Sequence, residues 1–101
     1  MSKTLSPIPP GEILLEEFMS PSGISQNKLA RDIDVPPGRI NDIIRARRAI
    51  TTDTALRLSV YFGTTPEFWL NLQNAYDLNV AQQELLPGIR KIVRPLEKAA
   101  V

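Results

Sequence analysis

The sequence predicts an all-α fold, a bundle of five helices followed by a short C-terminal tail. Apolar residues recur at helical spacing in several segments, and helix-capping residues precede these segments. Proline and glycine lie mainly where the segments begin and end. With 101 residues, 43% of them apolar, the chain suits one domain with a single core. We expect the domain to occupy residues 5–85 and the tail residues 86–101.

The central stretch, residues 25–48, predicts two short helices joined by a tight turn. Ser25 is a candidate N-cap for the first helix, which carries an apolar stripe. Pro36 and Pro37 stop that helix, and Pro37 can also start the second because proline fits the first turn of a helix. The turn is therefore placed at residues 34–36, and the stretch reads as a helix-turn-helix.

The second helix of this stretch separates an apolar face from a polar one. Isoleucines at positions 40, 43 and 44 form a buried stripe, and the opposite face carries Gly38, Asp42 and Arg45, with Arg39 and Asn41 on its flanks. Arginine can donate twice to guanine, asparagine can pair with adenine, and glycine permits close approach of the backbone. This combination favours reading of the DNA major groove, although a simply solvated helix face is the alternative.

Three arginines, Arg45, Arg47 and Arg48, close the stretch. They could complement the dipole of the helix C-terminus or bind phosphates, and phosphate contact is favoured because they directly follow the polar face. Charge is concentrated here. Residues 28–48 hold six basic and three acidic side chains, whereas the whole chain has a net charge of only +1.

The composition argues against several classes of protein. The chain has no cysteine and no histidine, and its carboxylates are scattered, so we expect no enzyme, metal site or cofactor. No apolar run approaches the roughly 20 residues of a membrane span. The N-terminal residues MSKTLSPIPP lack the apolar core of a signal peptide. We therefore expect a cytoplasmic protein that does not contact the membrane.

The remaining helices have recognisable borders. The first is expected to begin at Pro10 and run to Met19, and residues 20–23, which are Ser, Pro, Ser and Gly, are expected to stop it. Thr51 or Thr52 is the candidate N-cap of the fourth helix, and Thr65 is the candidate N-cap of the fifth, which has proline at its first position. The predicted inward face of the fourth helix consists of Ala55, Leu56, Ser59, Val60 and Phe62.

The fifth helix contains more bulky apolar residues than one face can hold. Because helix-turn-helix proteins commonly bind DNA as two-fold dimers, we expect a homodimer through this helix. Its candidate contact residues are Phe68, Trp69, Leu72 and Tyr76.

The tail repeats apolar residues at helical spacing between basic ones, but Pro95 interrupts it and the segment is short. We expect it to be disordered or to fold only against a partner. A plain charged tail is the simpler alternative.

Several strings resemble the HigA/VapI family of antitoxins, which are lambda-repressor-like, Xre-type helix-turn-helix proteins. The matching strings are VPPGRIN at 35–41, ITTDTALRL at 50–58 and GTTPEFWLNLQ at 63–73, together with PGEIL at 10–14 and YDL at 76–78. The resemblance covers roughly residues 5–85. It implies a five-helix bundle that dimerises, binds an inverted repeat in its own promoter and neutralises a HigB toxin, a relative of the RelE ribonucleases.

The resemblance also implies roles for individual residues. Gln26 would touch phosphate, Arg39, Asn41 and Asp42 would face bases, and Gly38 would permit close approach. The full set of predicted DNA-binding residues is Gln26, Lys28, Pro37, Gly38, Arg39, Asn41, Asp42, Arg45, Arg47 and Arg48. The family usually has glycine at the position of Ala46. Either the helix runs further here, or alanine adopts a left-handed conformation at a cost of about 1 kcal/mol.

The leading hypothesis is therefore a dimeric repressor of its own operon that also acts as an antitoxin. A stand-alone transcription regulator without a toxin is the main alternative. A protein-interaction module that has lost DNA binding is a further one.

Overall fold

The computed structural model describes residues 7–97, and in that range the chain forms six helices and no strand. The first helix, α1, consists of three consecutive segments, Pro10–Ile13, Leu14–Met19 and Ser20–Ser22. The others are α2 (Gln26–Asp32), α3 (Pro37–Ile44), α4 (Thr52–Phe62), α5 (Pro66–Glu84) and α6 (Leu86–Ile92). The all-α prediction is confirmed. Residues 5 and 6 of the predicted domain and residues 98–101 of the predicted tail lie outside the described range.

Three hydroxyl side chains start three of the helices. Ser25, Thr51 and Thr65 each accept a hydrogen bond from the backbone N–H three residues further on, at 3.0, 3.3 and 3.1 Å. Each bond satisfies one of the N–H groups that a helix N-terminus leaves without a partner. The capping predictions for Ser25 and Thr65 are confirmed, and of the two candidates for α4 the structure uses Thr51.

The helix α1 is longer than predicted. Its middle segment, Leu14–Met19, is wound as a π-helix, and the helix continues to Ser22 before Gly23 ends it with a φ of +68°. The N–H of Ile24 donates to the Met19 carbonyl at 3.2 Å, which closes the C-terminus. The serine and proline expected to stop the helix are instead its last turn.

The core lies where α1, α2, α3, α4 and the first half of α5 meet. Its buried residues are Leu14, Met19, Leu29, Ala30, Ile33, Ile40, Ile43, Ile50, Ala55, Leu58 and Trp69. Trp69 is fully buried, and its indole Nε1 donates to the Thr64 hydroxyl at 2.7 Å. Phe18 packs with its ring centroid 4.9 Å from that of Trp69, within a cluster that also holds Phe62 and Phe68.

The predicted inward face of α4 is partly wrong. Ala55 and Ser59 are buried, but Leu56 is 50% exposed and Val60 is 85% exposed, while Leu58 is fully buried. The helix carries apolar residues on two sides, and helical spacing alone does not decide which side faces inward. The structure buries the side that contains Leu58.

The fold has a sixth helix, α6, where the sequence predicts a tail. Proline at its second position is compatible with a first helical turn. The helix continues almost directly from α5, and the N–H groups of Ile89 and Val93 donate to Leu85 and Ile89 carbonyls at 3.0 and 2.8 Å. It packs mainly against α5, at one end of a molecule that measures 57 × 26 × 23 Å. Within residues 7–97, no helix is both long enough and apolar enough to cross a membrane.

Candidate nucleic-acid interface

The helix-turn-helix consists of α2, a turn over residues 33–36 and α3. Within the turn, Asp34 has a φ of +60°, a left-handed conformation that is unfavourable for a residue with a Cβ. Arg57, on α4, donates through Nη1 to the carbonyls of Ile33 at 2.9 Å and Asp34 at 3.0 Å. These bonds satisfy carbonyl groups at the end of α2 and hold the turn in place. Asp53 accepts from Nε of the same guanidinium at 2.8 Å, which raises the pKa of Arg57.

The inner face of α3 is seated against α1. Ile40 and Ile43 are buried, as their spacing predicts. The backbone of Gly11 lies so close to α3 that a Cβ at this position would collide with the carbonyl oxygen of Ile43. Glycine at position 11 therefore sets how closely the two helices approach, a role that the sequence alone does not reveal.

The outer face of α3 presents the predicted polar set. Pro37, Gly38 and Arg45 are exposed, and Arg39, Asn41 and Asp42 are partly buried at its edges. Five of the six belong to α3 and Arg45 is its C-cap, so they lie along one short helix, with Gly38, Asp42 and Arg45 opposite the buried isoleucines and Arg39 and Asn41 on the two flanks. Such a helix, with its polar face outward and its apolar face in the core, has the dimensions that enter a major groove.

Gln26 and Asn41 form a direct link between the two helices of the motif. The Asn41 Nδ2 donates to Gln26 Oε1 at 3.1 Å. This bond uses one N–H of Asn41, and its amide has a second N–H and a carbonyl oxygen for a base edge. Gln26 thereby orients Asn41, and its own NH₂ group can donate to a phosphate.

Lys28 is engaged within α2. Its Nζ lies 2.9 Å from Asp32 Oδ2, and the Tyr61 hydroxyl donates to the same oxygen at 2.7 Å. The hydrogen bond from Tyr61, and then that from Lys28, lower the pKa of Asp32. Lys28, one of the predicted DNA-binding residues, therefore belongs to a small network with α4, on the side of α2 that faces Tyr61.

The exit from α3 is a strained turn. Ala46 has a φ of +60°, and the N–H groups of Ala46 and Arg47 donate to the carbonyls of Ile43 at 3.0 Å and Asp42 at 2.8 Å. This is the hydrogen-bond pattern of a Schellman C-cap, in which glycine is the favoured residue at the left-handed position. Of the two possibilities for this position, the structure has the strained one. Arg47 and Arg48 follow in the exposed turn.

A side chain of α5 anchors the segment that follows this turn. The Gln73 Oε1 accepts a hydrogen bond from the backbone N–H of Ile50 at 2.7 Å, and Ile50 is buried. Gln73 Nε2 also donates to Asp77 Oδ1 at 2.9 Å. Sequence reasoning missed Gln73 and Arg57 because their partners are backbone groups more than 20 residues away.

The predicted dimer contacts on α5 lie in different surroundings. Trp69 is fully buried, so it has no area to give to a second copy, and Phe68 packs in the aromatic cluster. Leu72 and Tyr76 are half-buried beside Pro7 and Ile8. These two candidates border a groove that is open to solvent.

Fold and site together define a DNA-binding protein of the helix-turn-helix class. Residues 15–69 match the family described as "Helix-turn-helix". The virulence-associated protein I of Dichelobacter nodosus is 54% identical over 77 residues, which are 76% of this chain and 71% of that protein.

Two solved structures of antitoxins have the same fold as this chain. The antitoxin GraA has a TM-score of 0.88 and 48% identity, covering 91% of this chain and 99% of GraA. The Pseudomonas aeruginosa antitoxin HigA, solved with the higBA promoter, has a TM-score of 0.86 and 43% identity, covering 90% of this chain and 99% of that one. The chain belongs to the HigA/VapI family of Xre-type helix-turn-helix antitoxins. This family comprises DNA-binding regulators and is not a class of enzymes.

Proposed function

We propose that this protein is a dimeric repressor of its own operon and the antitoxin of a HigB/RelE-like ribonuclease. In this role it works in the cytoplasm, binds an inverted-repeat operator as a homodimer and forms a complex with the toxin. The observation that carries the DNA-binding part is the outer face of α3. It combines donors for base edges with an adjacent basic turn, on a helix whose inner face is fixed in the core.

The position of each residue on the motif indicates whether it contacts a base or a phosphate. The side chains of Arg39, Asn41 and Asp42 face bases, and Gly38 and Pro37 allow the start of α3 to approach the groove. Phosphates are held by Gln26 and by the arginines of the exit turn, with Lys28 at the edge of the surface. Support comes from the P. aeruginosa antitoxin HigA, whose structure was solved with the higBA promoter and which has 43% identity and a TM-score of 0.86 to this chain.

The toxin-binding part of the proposal is supported by membership of an antitoxin family. DNA reading and toxin capture need different surfaces, and the α3 face has the chemistry of the former. Residues that contact the toxin therefore lie elsewhere on the molecule. A charged variant of the α3 face should leave a toxin complex intact.

Co-purification tests the two parts of this function separately. The chain, tagged and expressed from its native flanking DNA, should bring down a stoichiometric protein encoded next to it, identified by intact mass. That neighbour expressed alone should arrest growth. If the chain binds its promoter fragment but brings down only itself, it is a stand-alone regulator. If it shows no salt-dependent affinity for the promoter, the DNA-binding proposal is wrong.

A further inference from the structure

The side chains of Gln26 and Asn41 form a short series of hydrogen-bonding groups that has a direction. Gln26 is the first residue of α2, Asn41 lies in the middle of α3, and both are partly buried. Asn41 Nδ2 donates to Gln26 Oε1 at 3.1 Å, and within the described residues this is the one hydrogen bond of either side chain. The groups left over are the NH₂ of Gln26 at one end and, at the other, one N–H and the carbonyl oxygen of Asn41.

We propose that Gln26 is the positioning residue that makes Asn41 select adenine over guanine. The inference rests on the proposed operator binding, in which Gln26 contacts a phosphate and Asn41 contacts a base. It adds a dependence of the second contact on the first. The direction of the bond between the two amides decides which base Asn41 pairs with.

This direction determines which groups Asn41 presents to a base. Asn41 gives one N–H to Gln26, so a donor and an acceptor remain on its amide. Adenine offers the complementary pair in the major groove, with N7 as acceptor and the N6 amino group as donor, whereas guanine offers two acceptors, N7 and O6. If Gln26 donated to the Asn41 oxygen instead, Nδ2 would present two donors, which suit guanine. The observed direction therefore favours adenine.

Contact with DNA holds the bond in the same direction. Phosphate oxygens accept hydrogen bonds and do not donate them, so a phosphate beside Gln26 binds its NH₂ group and not its carbonyl oxygen. With Nε2 facing the phosphate, Oε1 is left to accept from Asn41, as it does in the free chain. A contact to the DNA backbone, which carries no sequence information itself, thereby orients a base-reading amide on the next helix.

The two helices hold the pair at a fixed separation. Leu29 on α2 and Ile40 on α3 are both fully buried, so packing of the core sets the distance between Gln26 and Asn41. A bond that merely fastened α2 to α3 would change stability and overall affinity when removed. It would leave the choice of base unchanged, and base preference is therefore the quantity to measure.

Operator titrations with single base-pair replacements test the proposal. The duplex is the promoter inverted repeat, in which each base pair of both half-sites is exchanged in turn between A·T and G·C. Asn41→Ala should lose discrimination at one position, which identifies the base pair that Asn41 reads. At that position wild type should prefer adenine on the order of 10-fold or more.

Substitutions of Gln26 separate its contact with phosphate from its contact with Asn41. Gln26→Lys keeps a donor for phosphate but has no acceptor for Asn41, so the adenine preference should fall on the order of 10-fold. Gln26→Met, which has no amide and no charge, should lose the preference too. Gln26→Glu keeps the acceptor but repels phosphate, so it should weaken binding to every duplex by the same factor and keep the preference.

The matched controls are Asn27→Lys and Asn27→Glu. Asn27 is exposed beside Gln26, so these variants make the same changes of charge outside the bond to Asn41. Both should keep the wild-type preference for adenine, and all variants should have the circular dichroism spectrum of wild type.

The outcomes distinguish this inference from the proposed function. An undiminished adenine preference in Gln26→Lys and Gln26→Met would overturn the inference and leave operator binding intact. The same holds if Gln26→Glu loses the preference as they do, or if Asn41→Ala discriminates like wild type at every position. If wild type binds no promoter duplex, the repressor function is wrong and the inference fails with it.

Discussion

The helix-turn-helix and the C-terminal end of the molecule are held by different kinds of contact. Around α3, two isoleucines are buried, Gly11 allows close packing, and Arg57 and Gln73 bind backbone groups on either side of the helix. The helix α6 packs mainly against α5 and leaves Ile92 77% exposed. The helix α3, which we propose reads DNA, is therefore fixed by contacts within one chain, whereas the C-terminal end contributes little to the core.

Truncating one isoleucine in each region should show this difference most clearly. Ile40→Ala should lower the free energy of unfolding by about 2–5 kcal/mol, because it removes a fully buried side chain and leaves a cavity. Ile92→Ala should change it by about 0.5 kcal/mol at most, as expected for an exposed position. Urea denaturation of both variants measures the effect. Equal losses would mean that α6 is as well packed as α3.

Gln73 offers the next largest effect. Gln73→Ala would leave the N–H of the buried Ile50 without its partner, which should cost about 1–3 kcal/mol. The matched control is Gln83→Ala on the exposed side of α5, where the lost bond joins Gln83 to Asn79. Urea denaturation should show a clear loss for the first variant and little for the second. If Gln83→Ala were equally damaging, the anchor would have no special role.

Relieving the strain at the α3 exit should stabilise the protein slightly. Ala46→Gly places glycine at a φ of +60°, and the gain should be up to about 1 kcal/mol. Ala49→Gly, three residues away, is the control and should destabilise or leave stability unchanged, because Ala49 does not have a positive φ. Thermal unfolding of the two variants measures both changes in stability. A loss of stability in Ala46→Gly would contradict the claim that alanine is strained at this position.

The smallest effect should appear in the pH dependence of stability, through the carboxylate of Asp32. The pKa of Asp32 is lowered, first by the Tyr61 hydroxyl and then by Lys28, so this contribution to stability is present above the ordinary carboxyl pKa of about 4. It is lost as the pH falls through the lowered pKa of the folded state. Tyr61→Phe should therefore reduce stability at neutral pH more than at pH 2 to 3. A variant with the same deficit at both pH values would argue against this linkage.

Local signals predicted much of the fold, because caps and proline positions act within a few residues. Ser25 and Thr65 are examples, since each binds an N–H three residues away. The exposed side of α4 could not be predicted, because both of its sides carry apolar residues. The roles of Gly11 and Arg57 depend on contacts made only once the helices have packed.

For the candidate site, the sequence indicated which residue types lie on α3 but not how they contact other helices. The residue types on the outer face of α3 favour major-groove reading over a solvated face, and this assignment stays a prediction. The link between Gln26 and Asn41 did not follow from residue types, since it joins side chains on two helices. The sixth helix was missed because an isolated segment of that length is marginal in water, and α5 provides the surface that it needs.

The central claim is that the outer face of α3 reads the operator. Its most direct test is a titration of the promoter inverted repeat with Arg39→Ala and, as the matched control, Arg90→Ala on exposed α6. Arg39→Ala should weaken binding by about 1–3 kcal/mol with an unchanged circular dichroism spectrum, and Arg90→Ala should bind like wild type. Full operator affinity in Arg39→Ala, or an equal loss in Arg90→Ala, would contradict the assignment of this face.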